Sequence, residues 1–268
     1  MGATVGNEQD IGRQDHWVVS DQGRIFVRTW APRQHDNTAP IILFHDSLGC
    51  VELWRGFPAA LSARTGRAVI AYDRLGFGRS DPHPRGWSVD FVREEAERWF
   101  PQLRRQLDIA GFVAMGHSVG GAMAAHCAAS FAEDCRALVT MAAQAFVEDR
   151  TLAGIQAAER EFAKAGQLDR LKRYHGDKAE WALRAWIDSW HSPAFDISAI
   201  QDRLPQVRCP TLVIHGAEDE YGSSLHPQII GRGVSGRSAV HVLPGCRHLP
   251  HREQEEVVLA LVADHLSD

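Results

Sequence analysis

Short runs of apolar and β-branched residues recur along the chain, separated by stretches with helical periodicity or many small residues. That alternation is the mark of βαβ units and a largely parallel sheet. Seven runs predict strands at 24–30, 40–45, 68–73, 111–116, 137–142, 211–215 and 238–243, and residues 16–20 predict an antiparallel edge strand. Four of them (40–45, 68–73, 137–142 and 211–215) are almost continuously apolar, as strands covered by helices on both faces must be. Helices are predicted near 51–65, 87–109, 118–131, 222–231 and 252–266. The expected fold class is α/β, a mostly parallel eight-stranded sheet with helices on both faces.

One interval breaks the rhythm. Between the runs at 137–142 and 211–215 lie almost 70 residues without a strand-like segment, far more than a crossover needs. Its composition is helical, with Trp181, Leu183, Trp186, Ile187 and Trp190 three to five positions apart or closer. We therefore expect residues 1–145 and 201–268 to form the core domain, with a helical insertion at 146–200 after the sixth strand. Trp186 and Trp190 have two readings: a packed face of that insertion, or the wall of a substrate pocket.

Composition narrows the classes of function. Hydrophobic residues make up 44% of the chain and charged residues 24%, ordinary values for a globular protein with a large core. Twenty-nine Lys and Arg against 34 Asp and Glu leave a net charge of −5, so no global field draws in nucleic acid or an anionic membrane. Residues 146–190 hold eight basic and eight acidic side chains, which fits an uncharged or weakly charged small-molecule substrate. The five cysteines are scattered and odd in number, which predicts neither a disulfide framework nor a zinc knuckle and fits a reducing compartment. The first ten residues lack an apolar leader core, Gly6 occupies the place where a myristoylation motif needs Ser or Thr, and no run of 18 apolar residues occurs. A cytoplasmic location is the expectation.

The sharpest local signal is Gly116-His117-Ser118-Val119-Gly120, set between the run at 111–116 and a helix rich in small residues. A GxSxG run between strand and helix is a nucleophile elbow: the tight turn exposes the serine hydroxyl, and the glycines let backbone close around it. A serine needs a base to take its proton and a third group to orient that base. Asp219 follows the run at 211–215 and His248 follows the run at 238–243, both in loops at carboxyl ends of strands, where ligand sites of open α/β sheets gather. The order Ser118, Asp219, His248 is the one associated with the elbow.

The chain at this point resembles the α/β-hydrolase family, from about residue 16 to 266. The resemblance rests on His45-Asp46-Ser47-Leu48-Gly49, the turn from Tyr72 to Asp81, the GHSVG elbow, and the HGxxD and GxxH segments that hold Asp219 and His248. It implies that residues 146–200 are a cap, and that the amides of Val119 and Ser47 form an oxyanion hole. Asp46 departs from the glycine the family commonly carries there, and Glu220-Tyr221-Gly222 departs from its usual apolar residue and proline.

The alternatives at this stage are specific. A shift of one residue would make Glu218 the acid, and His251 competes with His248. His45, His117 and His215 abut strand ends and are expected to satisfy local backbone groups. Pro250 breaks the helical register that would aim His248 and His251 at one ion, so no metal is expected. Gly231 to Gly236 match GxGxxG but precede a strand instead of following one, so no nucleotide cofactor is expected either. The reading is a serine hydrolase acting on a small carboxylic ester, thioester or lactone. C–C bond hydrolysis of a ring-cleavage product and aminopeptidase action are alternatives, and a non-catalytic ligand receptor is the rival from another class.

Overall fold

The computed structural model describes residues 10–33, 38–84 and 86–267; the polar start and Gly6 lie outside the described residues. The strands are β1 (Ile11–Ser20), β2 (Gly23–Pro32), β3 (Ile41–Phe44), β4 (Val69–Tyr72), β5 (Phe112–His117), β6 (Cys135–Met141), β7 (Thr211–Gly216) and β8 (Ser238–Leu243). They form one eight-stranded sheet in the order β1-β2-β4-β3-β5-β6-β7-β8. Only β2 runs against the rest, pairing antiparallel with β1 and β4, while all other neighbours are parallel. The mostly parallel α/β sheet expected from the apolar runs is the one observed.

The edge strand is longer than its sequence pattern, starting at Ile11. Positions 12–15 are exposed and polar, and they pair because the hairpin turn after Ser20 carries the register from Ser20–Gly23 out to Ile11–Pro32. The salt bridge of Asp15 with Arg28 at 2.6 Å adds a cross-strand link that alternation alone does not reveal.

The helices are α1 (Phe57–Thr65), α2 (Phe91–Glu94), α3 (Phe100–Gln106), α4 (Val119–Ser130), α5 (Asp149–Phe162), α6 (Gln167–His175), α7 (Ala179–His191), α8 (Leu225–Gly233), α9 (Pro250–Glu253) and α10 (Glu255–Ser267). The single helix expected over 87–109 is instead α2 and α3, joined by a π turn at Glu95–Trp99. Pro101 has no N–H to give the carbonyl of Glu97, and the wider turn carries the chain past that missing bond.

Period-two alternation sorts the strand side chains into two cores. Ile42, Phe44, Ile70, Tyr72 and Ala114 join α3 and α4 on one face, whereas Ile41, Leu43, Val69, Ala71, Val113 and Met115 join α1 and α10 on the other. Each fully buried Leu, Ile, Val or Phe stabilises the fold by about 1.5–3 kcal/mol, so neither layer is dispensable.

Helices α5, α6 and α7 lie between β6 and β7 in sequence and rest on loops at the carboxyl ends of the strands. His175 accepts the Gly78 amide at 2.9 Å and donates from its other nitrogen to the Leu48 carbonyl at 3.1 Å, tying α6 to the loops after β4 and β3. Trp181 of α7 packs over Gly76, where an added Cβ would stand 2.1 Å from the indole and where φ is +86°. Thr151 of α5 donates to the Tyr221 carbonyl at 2.7 Å. No described helix is long and apolar enough to cross a membrane.

Candidate active site

Strand β5 ends at His117 and α4 begins at Val119, leaving Ser118 to make the turn alone with φ 55° and ψ −128°. A non-glycine residue held there stores about 1–3 kcal/mol of strain, which the surroundings must offset. The Ser118 amide donates to the Met141 carbonyl and its carbonyl accepts the Gly121 amide, both at 2.8 Å. Gly116 and Gly120 make the close approach possible. A Cβ on Gly116 would lie 2.0 Å from the Gly120 carbonyl oxygen, and one on Gly120 would lie 2.2 Å from that of Phe44.

The loops after β7 and β8 bring two further groups to this turn. His248 Nε2 lies 3.1 Å from Ser118 Oγ, and His248 Nδ1 lies 2.9 and 2.8 Å from the two carboxylate oxygens of Asp219. Asp219 Oδ1 also accepts the amides of Tyr221 and Gly222. Burial alone would raise the Asp219 carboxyl, but the hydrogen bond and charge of His248 and the Tyr221 amide outweigh it and hold the group below its ordinary value. Glu218 is exposed, and Glu220 is exposed beside Arg247, so Asp219 is the acid that meets His248. His251 is buried against Trp54, Phe57 and His117, away from the serine hydroxyl.

The three histidines at strand ends bond neighbouring carbonyls. His45 reaches Asp46 at 2.8 Å, His117 reaches His248 at 2.7 Å, and His215 reaches Gly222 at 3.1 Å. Because a carbonyl only accepts, each of these nitrogens carries the proton. The other nitrogen of His45, Nε2, accepts the amide and Nε–H of Arg74, whose Nη2 donates to the Asp46 carbonyl at 3.0 Å. Burial and the Arg74 charge hold His45 well below the ordinary histidine value, so the bonded neutral form persists. This network fixes the turn that carries Ser47. The Asp46 carboxylate folds back over the same turn, its Oδ1 standing 2.1 Å from where a Cβ on Gly49 would be.

A cavity of about 250 Å³ covers the serine, walled by Asp46, Ser47, Ser118, Gln144, Trp186, Trp190, Tyr221 and His248 among others. Trp186 and Trp190 thus meet the serine's cavity, and Trp190 also packs edge-on against Phe195 in the core. Val119 takes the first position of α4 with its side chain in the core, which leaves its amide without an intrahelical acceptor. A smaller cavity of about 60 Å³ adjoins this one, sharing Ser47, Trp186 and Trp190 in its wall and adding Arg74 and Glu95.

Two residues of the site escaped the sequence reading. Gln144 Oε1 lies 3.4 Å from Ser118 Oγ, and the Tyr221 ring lies 4.7 Å from that of His248. Gln144 carried a signal: it is the one polar residue of the run from Met141 to Phe146, just past the carboxyl end of β6.

Residues 41–261 match the model of the Alpha/beta hydrolase family. Over 205 residues the chain is 28% identical to Serine hydrolase BPHL of Homo sapiens, covering 74% of this chain and 69% of that one. It is 25% identical over 261 residues to the 2-hydroxy-6-oxo-2,4-heptadienoate hydrolase of Pseudomonas putida, covering 85% and 89% respectively. Among solved structures, the enol-lactonase from Burkholderia xenovorans LB400 superposes with a TM-score of 0.70 at 18% identity, covering 94% of this chain and all of that one. With a match across most of its length and the sheet to go with it, the chain belongs to the alpha/beta hydrolase family.

Proposed function

We propose that the protein is a serine hydrolase that cleaves a small carboxylic ester, thioester or lactone through an acyl-enzyme at Ser118. The observation that carries this reading is the continuous chain of contacts from Asp219 through both nitrogens of His248 to Ser118 Oγ, at 2.8 and 3.1 Å. His248 takes the serine proton as Oγ attacks the acyl carbon. Asp219 keeps the proton on Nδ1 and stabilises the imidazolium that forms. The amides of Val119 and Ser47 receive the oxyanion. The imidazolium then protonates the departing alcohol, thiol or hydroxyl end, and water activated by the same base releases the acid. Helices α5 to α7, within residues 146–200, act as a cap whose inner wall selects the substrate.

A second reading keeps the same serine and changes the bond. The resemblance to the heptadienoate hydrolase supports hydrolysis of a C–C bond in a ring-cleavage product, for which the leaving group is a carbanion equivalent that must be protonated.

A fluorophosphonate probe tests the shared core of both. Wild type is expected to take up one equivalent and Ser118→Ala none, with turnover of p-nitrophenyl esters reduced by roughly three orders of magnitude or more. Undiminished labelling of the alanine variant would remove Ser118 from the reaction. Parallel assays on p-nitrophenyl esters, lactones and aryl dienoates then separate the two readings.

A further inference from the structure

A second cavity, about 490 Å³, opens beside the one that covers Ser118. The two share Asp46, Leu48, Phe162 and Leu249 in their walls, so they lie side by side. Three arginines from separate parts of the sequence line this second space: Arg55 in the turn before α1, Arg170 on α6 and Arg252 on α9. Arg55 and Arg170 are exposed, at its mouth, while Arg252 is partly buried.

None of the three forms an ion pair among the described residues. Arg170 donates to Gln167 and Arg252 donates one Nη–H to the Leu53 carbonyl, while the Nε–H of Arg252 is buried without any acceptor. Buried donors of a charged group are costly to leave unmatched. Two carboxylates share the wall. Glu161 is already engaged by Lys164 and Gln167, and Asp46 stands at the junction toward the serine. Burial depresses Arg252 and the nearby Arg55 charge depresses it further, the repulsion that a bound anion relieves.

We propose that this cavity receives an anionic oxygen group, carboxylate or phosphate, borne by the substrate at the end remote from the bond that is cleaved. The guanidinium fork suits such a group. Asp46 sets the distance: an anion close to the scissile bond meets its carboxylate, and only one that reaches past it meets the arginines. The inference rests on the reading of Ser118 as the nucleophile and adds a substrate class to it.

The test compares matched substrates that differ in one charge. On the acyl side, p-nitrophenyl half-esters of succinate, adipate and suberate are set against neutral alkanoyl esters of equal length. On the alcohol side, acetate esters of ω-hydroxyhexanoate and of ω-hydroxyhexyl phosphate are set against hexyl acetate. At least one long pair should favour the anion by roughly fivefold or more in kcat/KM, as a partly screened charge pair does, while succinate shows no advantage. That preference should shrink in Arg252→Gln and in the exposed variant Arg55→Gln, and it should fall with added salt. A wild type that hydrolyses neutral esters without any anionic preference overturns the inference and leaves the hydrolase reading standing, as does a preference that both variants keep in full. If no ester turns over, the ester reading fails on its own. Calorimetric titration of ω-hydroxyhexyl phosphate into wild type and both variants then decides the inference, with absent or equal binding overturning it.

Discussion

The imidazole of His117 donates to the backbone carbonyl of His248 at 2.7 Å, so the residue before Ser118 ties down the loop of the imidazole that faces the serine. Burial pushes His117 down to about 4, which keeps this single-proton form intact at neutral pH. Replacing His117 with Phe preserves an aromatic ring of similar reach and removes the donor. We expect kcat to fall about ten- to a hundredfold, because a displacement near 1 Å at a reacting group costs that much. The melting temperature should change little by comparison, and full activity in this variant would show that the His248 loop holds itself.

His248 and His251 should separate cleanly in function. On the proposed mechanism His248→Ala loses the base and should lose roughly three orders of magnitude in kcat/KM. His251 packs on Trp54 and Phe57, so His251→Ala opens a cavity and should lower stability by about 2–4 kcal/mol while ester turnover persists at moderate temperature. A urea melt with a p-nitrophenyl ester assay on each variant checks both halves. Equal catalytic losses would place the two imidazoles in one reaction.

Acid should lower the stability of the protein before its ordinary carboxylates titrate. Burial holds seven described histidines below their ordinary value: His45, His117, His126, His175, His215, His226 and His251. As pH falls below about 6.5 the unfolded chain binds protons that the native state refuses down to about 4, the value for His117, His126 and His175, so stability is lost across that window. Asp73 and Glu95, pushed up by burial to about 6 and about 7, act with the opposite sign, gaining protons in the native state first. Seven groups against two leave a net loss of stability as the pH falls through this window. Glu95→Gln keeps an acceptor for the Tyr72 hydroxyl and removes one opposing group, so relative to wild type it should gain stability as pH rises from about 5 to 8. Denaturant melts at half-unit pH steps measure both slopes; a flat profile between pH 7 and 5 would contradict the histidine account.

Trp186 and Trp190 sit one turn apart on α7 and border the cavity over Ser118 and the smaller one that adjoins it, yet they differ in burial. Trp190 is 4% exposed and Trp186 is only partly buried. Trp190→Ala should therefore cost about 3–5 kcal/mol of stability, in addition to any change at the cavity wall. Trp186→Ala should leave the melt near that of wild type and change the ranking of three acyl chain lengths in kcat/KM. If Trp186→Ala scales all three equally, that ring is packing and not pocket.

Much of the local structure of this protein was legible residue by residue. Apolar runs of four to seven residues specified parallel strands because both faces of such strands are covered, and Gly116 and Gly120 announced a turn that only a missing Cβ permits. Motif register put Asp219 and His248 in the loops after β7 and β8, where they lie. Other features depended on contacts between segments far apart in sequence. Exposed positions 12–15 became strand through backbone pairing that no side-chain pattern encodes, and Pro101 converted an expected helix into two pieces around a π turn. Motif register favoured Asp219 over Glu218, and the contact itself, between Asp219 and His248 across 29 positions, is made only by the tertiary fold. Gln144 entered the site through a spatial approach of β6 to the elbow. The convergence of Arg55, Arg170 and Arg252 on one cavity is of the same kind, because charge in a sequence has no direction until tertiary packing decides which groups lose their water and which face one another.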